Sequence, residues 1–102
     1  MIYENDLVKA YKVKFDLTIW EDVKTVWLNK IIIPKSCRKN HLGSMIMEDF
    51  IKWLDLNHFT GELLVSNCYG TPENILIAFY ERFGFKTYKR KGSKNIYMHR
   101  VK

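Results

Sequence analysis

Arg38, Lys39, Asn40, His41, Leu42, Gly43 and Ser44 form the stretch whose residue types and spacing carry the clearest chemical meaning. They follow an apolar β-forming run, Ile31-Ile32-Ile33, that stops at Pro34, and they lead into a segment with helical hydrophobic spacing. A strand–loop–helix unit of this kind aims consecutive backbone N–H groups, at the positive end of a helix, toward whatever occupies the loop. Such a site takes an anion, and a diphosphate is its natural occupant. The other reactive residue types are less organised. His41, His58 and His99 show no metal-ligand spacing, so no metal is expected. Cys37 and Cys68 make no C-x-x-C pair and have no evident activating neighbour, which makes them reduced, small buried residues.

The elements that must position this loop follow from hydrophobic period. Between Lys12 and Trp20, Val13, Phe15, Leu17 and Ile19 alternate with polar residues, the mark of a strand with one buried face. After the polar break Glu21–Lys24, residues Thr25 to Ile33 read as a second strand, antiparallel to the first. Its end is apolar on both faces, as in a central strand. From Leu42 the period becomes helical: Leu42, Ile46, Phe50, Trp53 and Leu54 share a face, flanked by Met47 and Ile51. Glu62–Ser66 suits a short buried strand. Thr71-Pro72 predicts an N-cap with proline at the first helical position, and Ile75, Leu76, Phe79 and Phe83 make the apolar stripe before a stop at Gly84. Phe85–Arg90 and Asn95–Val101 read as a hairpin around Lys91–Lys94. Met1–Ala10 fits a short helix or a leading strand. The sum is an α/β domain with a mixed sheet in the order β-β-α-β-α-β-β. A right-handed crossover makes the second and third strands parallel, with the helix N-terminus at their carboxyl ends.

The spacing Arg38-x-x-His41-x-Gly43 resembles the Arg/Gln-x-x-Gly-x-Gly/Ala signature with which the GNAT superfamily of acyl-CoA N-acyltransferases grips coenzyme A. His41 stands where the first glycine usually lies. Phe79 to Phe85, FYERFGF, is similar to the [LF]-Y-x-[RK]-x-G-F segment of the same enzymes. Ile31 to Arg38, Gly43-Ser44, Tyr69-Gly70 and Met98-His99-Arg100 extend the likeness to small GNATs, over roughly residues 25 to 100. The resemblance implies residues 1–102 as a single GNAT-like acetyltransferase domain, lacking the strand and helices that usually precede Lys12. It implies acetyl-CoA as acyl donor and N-acetyl transfer to a primary amine by direct attack. Backbone amides from Arg38 to Ser44 would hold the pyrophosphate. An N–H at Ile32 or Ile33 would polarise the acetyl carbonyl, provided the two parallel strands splay. Ser66 and Asn67 would line that split on the acceptor side. Tyr80 would be the acid that protonates the departing thiolate, a role open to a phenol with an ordinary pKa of about 10. No acid stands on the strand before the loop; Asp16, Glu21 and Asp22 are the substitutes for a base.

Composition bounds the alternatives. A chain of 102 residues with 47% hydrophobic and 15% aromatic content can pack one core. No apolar run approaches the roughly 18 residues of a membrane span, and the acidic start does not resemble a signal peptide, so a cytoplasmic protein is expected. The absent wall of the acceptor site predicts a homodimer. The acceptor is a small-molecule or protein amine, or an aminoacyl-tRNA. His41 and the missing base also fit a degenerate GNAT that serves as a non-catalytic acyl-CoA-binding or protein-interaction module. Net charge is +6, and from Lys86 to Lys102 there are seven Lys or Arg residues and no Asp or Glu. That excess suits the outward positions of terminal strands. A nucleic-acid partner is not favoured, because no aromatic-and-Arg motif accompanies the charge.

Overall fold

The computed structural model describes residues 1–34, 41–66 and 71–101. In chain order the elements are α1 (Asp6–Ala10), β1 (Lys14–Trp20), β2 (Thr25–Ile32), α2 (Leu42–Leu56), β3 (Thr60–Val65), α3 (Glu73–Glu81), β4 (Lys86–Tyr88) and β5 (Ile96–Arg100). The strands form one mixed sheet in the order β1-β2-β3-β5-β4. β2 and β3 are parallel; the other neighbours are antiparallel. The order β-β-α-β-α-β-β is thus the observed one, with α1 in front of it.

Asn5 decides between the two possibilities for the first ten residues. Its Oδ1 accepts from the Leu7 and Val8 amides at 2.8 and 3.3 Å, capping α1. Its Nδ2 donates to Tyr3 Oη and to Asp49 Oδ2, which ties the N-terminus to α2. β1 starts at Lys14 rather than Lys12, because Lys12 has the left-handed φ of 53° and breaks the extended backbone. Val13 still turns inward, against Leu42 and Ile46.

α2 buries Leu42, Ile46, Met47, Phe50 and Leu54, the face its period marks out. His58, at φ 58°, turns the chain out of the helix, and the Phe59 amide closes on the Leu54 carbonyl at 2.9 Å. β3 therefore begins at Thr60, two residues before Glu62, and carries Gly61 into the core. A Cβ at Gly61 would lie 3.0 Å from Leu54 and 3.2 Å from Phe85. Gly61→Ala is expected to cost about 1–3 kcal/mol in urea unfolding, since both neighbours are fully packed.

α3 also starts later than its sequence suggests. Pro72 has ψ 148°, so it is the capping residue and not the first helical one, and Thr71 makes no cap. The Pro72 carbonyl accepts from the Ile75 and Leu76 amides, both at 3.1 Å. Gly84, at φ 89°, stops the chain after the helix. β4 is shorter than Phe85–Arg90: Phe85 is a core residue ahead of the strand, and pairing covers only Lys86 to Tyr88. Arg100 locks this end, its guanidinium bidentate on Asp55 and its Nε donating to the Phe83 carbonyl at 2.9 Å.

The buried strand residues Val26, Leu28, Leu63, Val65 and Met98 form one core with Met47, Phe50 and Leu54 of α2 and with Tyr80 of α3. The helices thus cover one face of the sheet. No helix among the described residues is long and apolar enough to cross a membrane.

Candidate functional site

A single extra residue opens the sheet. Asp16 pairs with Lys30 and Leu17 pairs with Leu28, so Asn29 is a bulge in β2. Bulges increase local twist and interrupt pairing. The β2–β3 ladder ends at Leu28↔Leu63, just where the bulge begins. Beyond it β2 continues with β1 alone, while Leu64 and Val65 of β3 continue with β5 alone. The parted strands leave a cleft of about 430 Å³. Leu28 to Ile33 form one wall and Leu63, Leu64 and Ser66 the other. His41, Gly43 and Ser44 close the α2 end, and Leu76, Phe79 and Tyr80 reach in from α3. Ile31 to Ile33 are therefore apolar because they line a cleft, not because β2 is paired on both edges there.

At the mouth stands the N-terminus of α2. The first intrahelical bond runs from the Met45 amide to the His41 carbonyl, at 3.1 Å. The N–H groups of Leu42, Gly43 and Ser44 precede it and have no partner within the helix. The His41 side chain makes no capping hydrogen bond, and no acid occupies the first turn. The helix end is built to face an anion. The Leu42 side chain turns away into the small cluster with Val13 and Ile46, so only its backbone contributes here. At Gly43 an added Cβ would meet Phe79 at 3.6 Å and Ile33 at 3.8 Å, which is ordinary contact. His41 is exposed and holds φ 55°, ψ 24°. The position that the GNAT signature gives to glycine thus has a left-handed backbone, in which a Cβ is strained by about 1–2 kcal/mol. His41→Gly should raise stability by about 0.5–1 kcal/mol, the strain relieved less the entropy that glycine loses on folding, read as a rise in the melting temperature.

Tyr80 lies between the core and the cleft, its ring 5.3 Å from Phe79 and 6.0 Å from Phe85. Its pKa is not the ordinary one: burial pushes the phenol up to about 12. Among the described residues its hydroxyl has no hydrogen-bond partner, and no unpartnered side-chain oxygen is fully buried. The Oη therefore opens onto the cleft that the ring lines. Arg38, Lys39, Asn40 and Asn67 lie outside the described residues.

The three candidate bases separate by position. Trp20 pairs with Thr25, so Glu21 and Asp22 sit at the hairpin turn, remote from a cleft that begins at Leu28. Glu21 is also held by the N-terminal amine at 2.9 Å, whose hydrogen bond and charge lower its pKa. They are excluded as bases for chemistry in the cleft. Of the three, Asp16 is the one tied to a cleft residue: its Oδ2 accepts from Asn29 Nδ2 at 3.1 Å, and the same amide donates to Thr18 Oγ1 at 2.8 Å. Among the described residues no group of three or more His, Cys, Asp or Glu side chains could hold a metal. Sequence reasoning missed Leu76 and Phe79 as cleft residues, having assigned both wholly to the α3 core stripe. It also missed the bulge, whose signal is the consecutive polar pair Asn29-Lys30 in an otherwise alternating strand.

No family model matches the chain, and no curated protein matches it by sequence. Solved structures do match it. The PaiA N-acetyltransferase from Thermoplasma acidophilum, in complex with coenzyme A, superposes with a TM-score of 0.66 at 16% identity, over 88% of this chain and 53% of that one. A protein from Bacteroides thetaiotaomicron assigned to the acetyltransferases of the GNAT family gives 0.63 at 16% identity, over 86% of this chain and 55% of its own. Ard1 from Thermoplasma volcanium gives 0.64 at 17%, over 94% and 75%. The chain has the GNAT fold, and it spans about half the length of the first two structures.

Proposed function

We propose that this protein is an acetyl-CoA-dependent N-acetyltransferase that moves an acetyl group to a primary amine by direct attack. The observation that carries the proposal is the coincidence of three features in one cleft: strands parted at a bulge, a helix N-terminus at the mouth, and a phenol opening into the middle. The residues present fit the donor. The first-turn amides of Leu42, Gly43 and Ser44, which have no partner within the helix, suit a pyrophosphate, with Arg38, Lys39, Asn40 and His41 completing the loop. The apolar walls suit a pantetheine arm, and Ile32 and Ile33 line the β2 side of the cleft along which it would lie. Acetyl-CoA supplies an activated acyl group as a thioester.

What the chain adds is position and proton management. The amine nitrogen bonds to the carbonyl carbon, and the carbon–sulfur bond breaks with its electron pair going to sulfur. The Tyr80 O–H hydrogen-bonds to that sulfur as it leaves, and the proton lost by nitrogen reaches the thiolate through solvent. A phenol at about 12 is a weak acid, so its part is a hydrogen bond that strengthens as negative charge grows on sulfur. Asp16, held through Asn29, is the carboxylate placed to attract the acceptor ammonium, and Ser66 with Asn67 would face the acceptor. Positioning in the split supplies much of the acceleration. We propose that a second copy of the chain completes the acceptor side of the cleft in a cytoplasmic homodimer. A monomer in light scattering at micromolar concentration would refute that part.

Calorimetry with acetyl-CoA, followed by free-thiol release over a panel of amines, tests the proposal. Binding with amine-dependent release supports it. Binding without release assigns the chain to non-catalytic acyl-CoA binding, and absence of binding overturns both.

A further inference from the structure

The face of the sheet turned away from the helices carries its own organised chemistry. Residues opposed across a ladder share a face. Trp27 opposes Glu62, Glu62 opposes His99, Leu64 opposes Tyr97, and Tyr97 opposes Tyr88. All of these point away from the core, since Val26, Leu28, Leu63 and Met98 between them point into it. No helix among the described residues covers them. Leu64 is 42% exposed, and Trp20, on the same face at the end of β1, is 51% exposed.

The rings form a continuous platform across three strands. Tyr88 stacks on His99 at 4.5 Å and lies 5.8 Å from Tyr97, which meets Trp27 edge-on at 6.4 Å. Over the platform lies the Arg90 guanidinium, 4.4 Å from the Tyr97 ring centre and 5.1 Å from that of Trp27. Tyr88 Oη donates to Glu62 Oε1 at 2.7 Å, and Arg90 stands 3.8 Å from the same carboxylate. Glu62 is thus paired with Arg90, and Asp16, hydrogen-bonded by Asn29, opposes Lys30. Lys30 and Lys86 are exposed on this face with Arg90, and the basic C-terminal stretch adjoins it.

We propose that this open face binds single-stranded nucleic acid. Aromatic rings on one open sheet face, rimmed by cations, are what base stacking and phosphate attraction together require. The charge favours this occupant over a second copy of the chain, because Lys14, Lys30 and Lys86 outnumber Asp16 on this face once Arg90 is paired with Glu62, and two such faces repel. The Arg90 guanidinium rests where a base would lie, and stacks with that base or swings to its phosphate. The aromatic-and-Arg motif absent from any local stretch is assembled when β3 joins β2 to the β4–β5 pair.

Fluorescence anisotropy with a labelled single-stranded RNA about ten nucleotides long, in about 0.15 M salt, tests the proposal. Saturable binding is expected, weaker for a duplex of the same sequence. Trp27→Ala and Tyr97→Ala should each lower affinity about fivefold or more, whereas Tyr97→Phe, which keeps the ring, should hold it. Arg90→Gln, at an exposed position that does not threaten folding, should reduce the salt slope by about one. Absence of binding at this salt, equal affinity for duplex, or affinity unmoved in Arg90→Gln and in the folded alanine variants would overturn the proposal. So would a dimer in sedimentation that the same substitutions dissociate. These residues lie outside the cleft, so acetyl-CoA calorimetry on the same variants reports on the transferase proposal separately.

Discussion

Gly43→Ala will fold as stably as the parent, or more stably by up to about 1 kcal/mol, and will bind acetyl-CoA at least about tenfold more weakly. The two halves of this result have separate causes. Gly43 is in the first turn of α2, where alanine is the better helix former. The protein itself leaves room for the methyl, whose nearest neighbours would be Phe79 at 3.6 Å and Ile33 at 3.8 Å. Both of those line the cleft, so the methyl would occupy the cleft mouth beside the amides. A pyrophosphate held by those amides must approach the backbone closely, and a Cβ stands in its way. Thermal unfolding and calorimetry measure the two halves on one sample. Gly61→Ala is the contrast, because there the methyl meets core atoms at 3.0 and 3.2 Å and stability itself falls. A Gly43→Ala protein that bound acetyl-CoA normally would remove the helix end from the site.

The contrast between these glycines shows what could be read from the sequence and what could not. Strand and helix phases were legible because they rest on burial, which repeats with period: Phe15, Leu17 and Ile19 on β1, and Ile46, Phe50 and Leu54 on α2. Two boundaries slipped where a single backbone angle decided them. Lys12 carries no mark of its left-handed φ, and Pro72 suits either side of a helix start equally well. The strand–loop–helix arrangement was legible from Gly43 and its surroundings, and a parted strand pair followed only from the resemblance to the GNAT enzymes. Its physical cause, the Asn29 bulge, lies in register between two strands and has only the Asn29-Lys30 pair as a local trace. The aromatic platform was legible only in part. Tyr88 and Tyr97 face each other across the β4–β5 hairpin, but Trp27 is far away in the chain and joins them only after β3 pairs with both β2 and β5.

Tyr80→Phe is expected to lower kcat about a hundredfold while leaving acetyl-CoA affinity and folding intact. The ring contacts with Phe79 and Phe85 survive the substitution, and the hydroxyl has no partner among the described residues whose loss would be felt. A packing role alone would leave kcat unchanged, and that outcome would withdraw Tyr80 from the chemistry. Proton linkage gives a second measurement. In the unfolded chain the phenol titrates near 10, and burial raises it to about 12 in the folded one. The folded form therefore holds the proton more tightly. The stability this contributes is fully present below about pH 10 and is lost as pH rises from there through about 12. The phenylalanine variant lacks that alkaline loss, which a comparison of urea midpoints on either side of about pH 10 would register. For the reaction the same shift has the opposite merit: no fall in rate below about pH 12 comes from ionisation of Tyr80. Any descending limb at lower pH must then belong to another group, and the hydrogen aimed at sulfur is in place wherever the protein is folded.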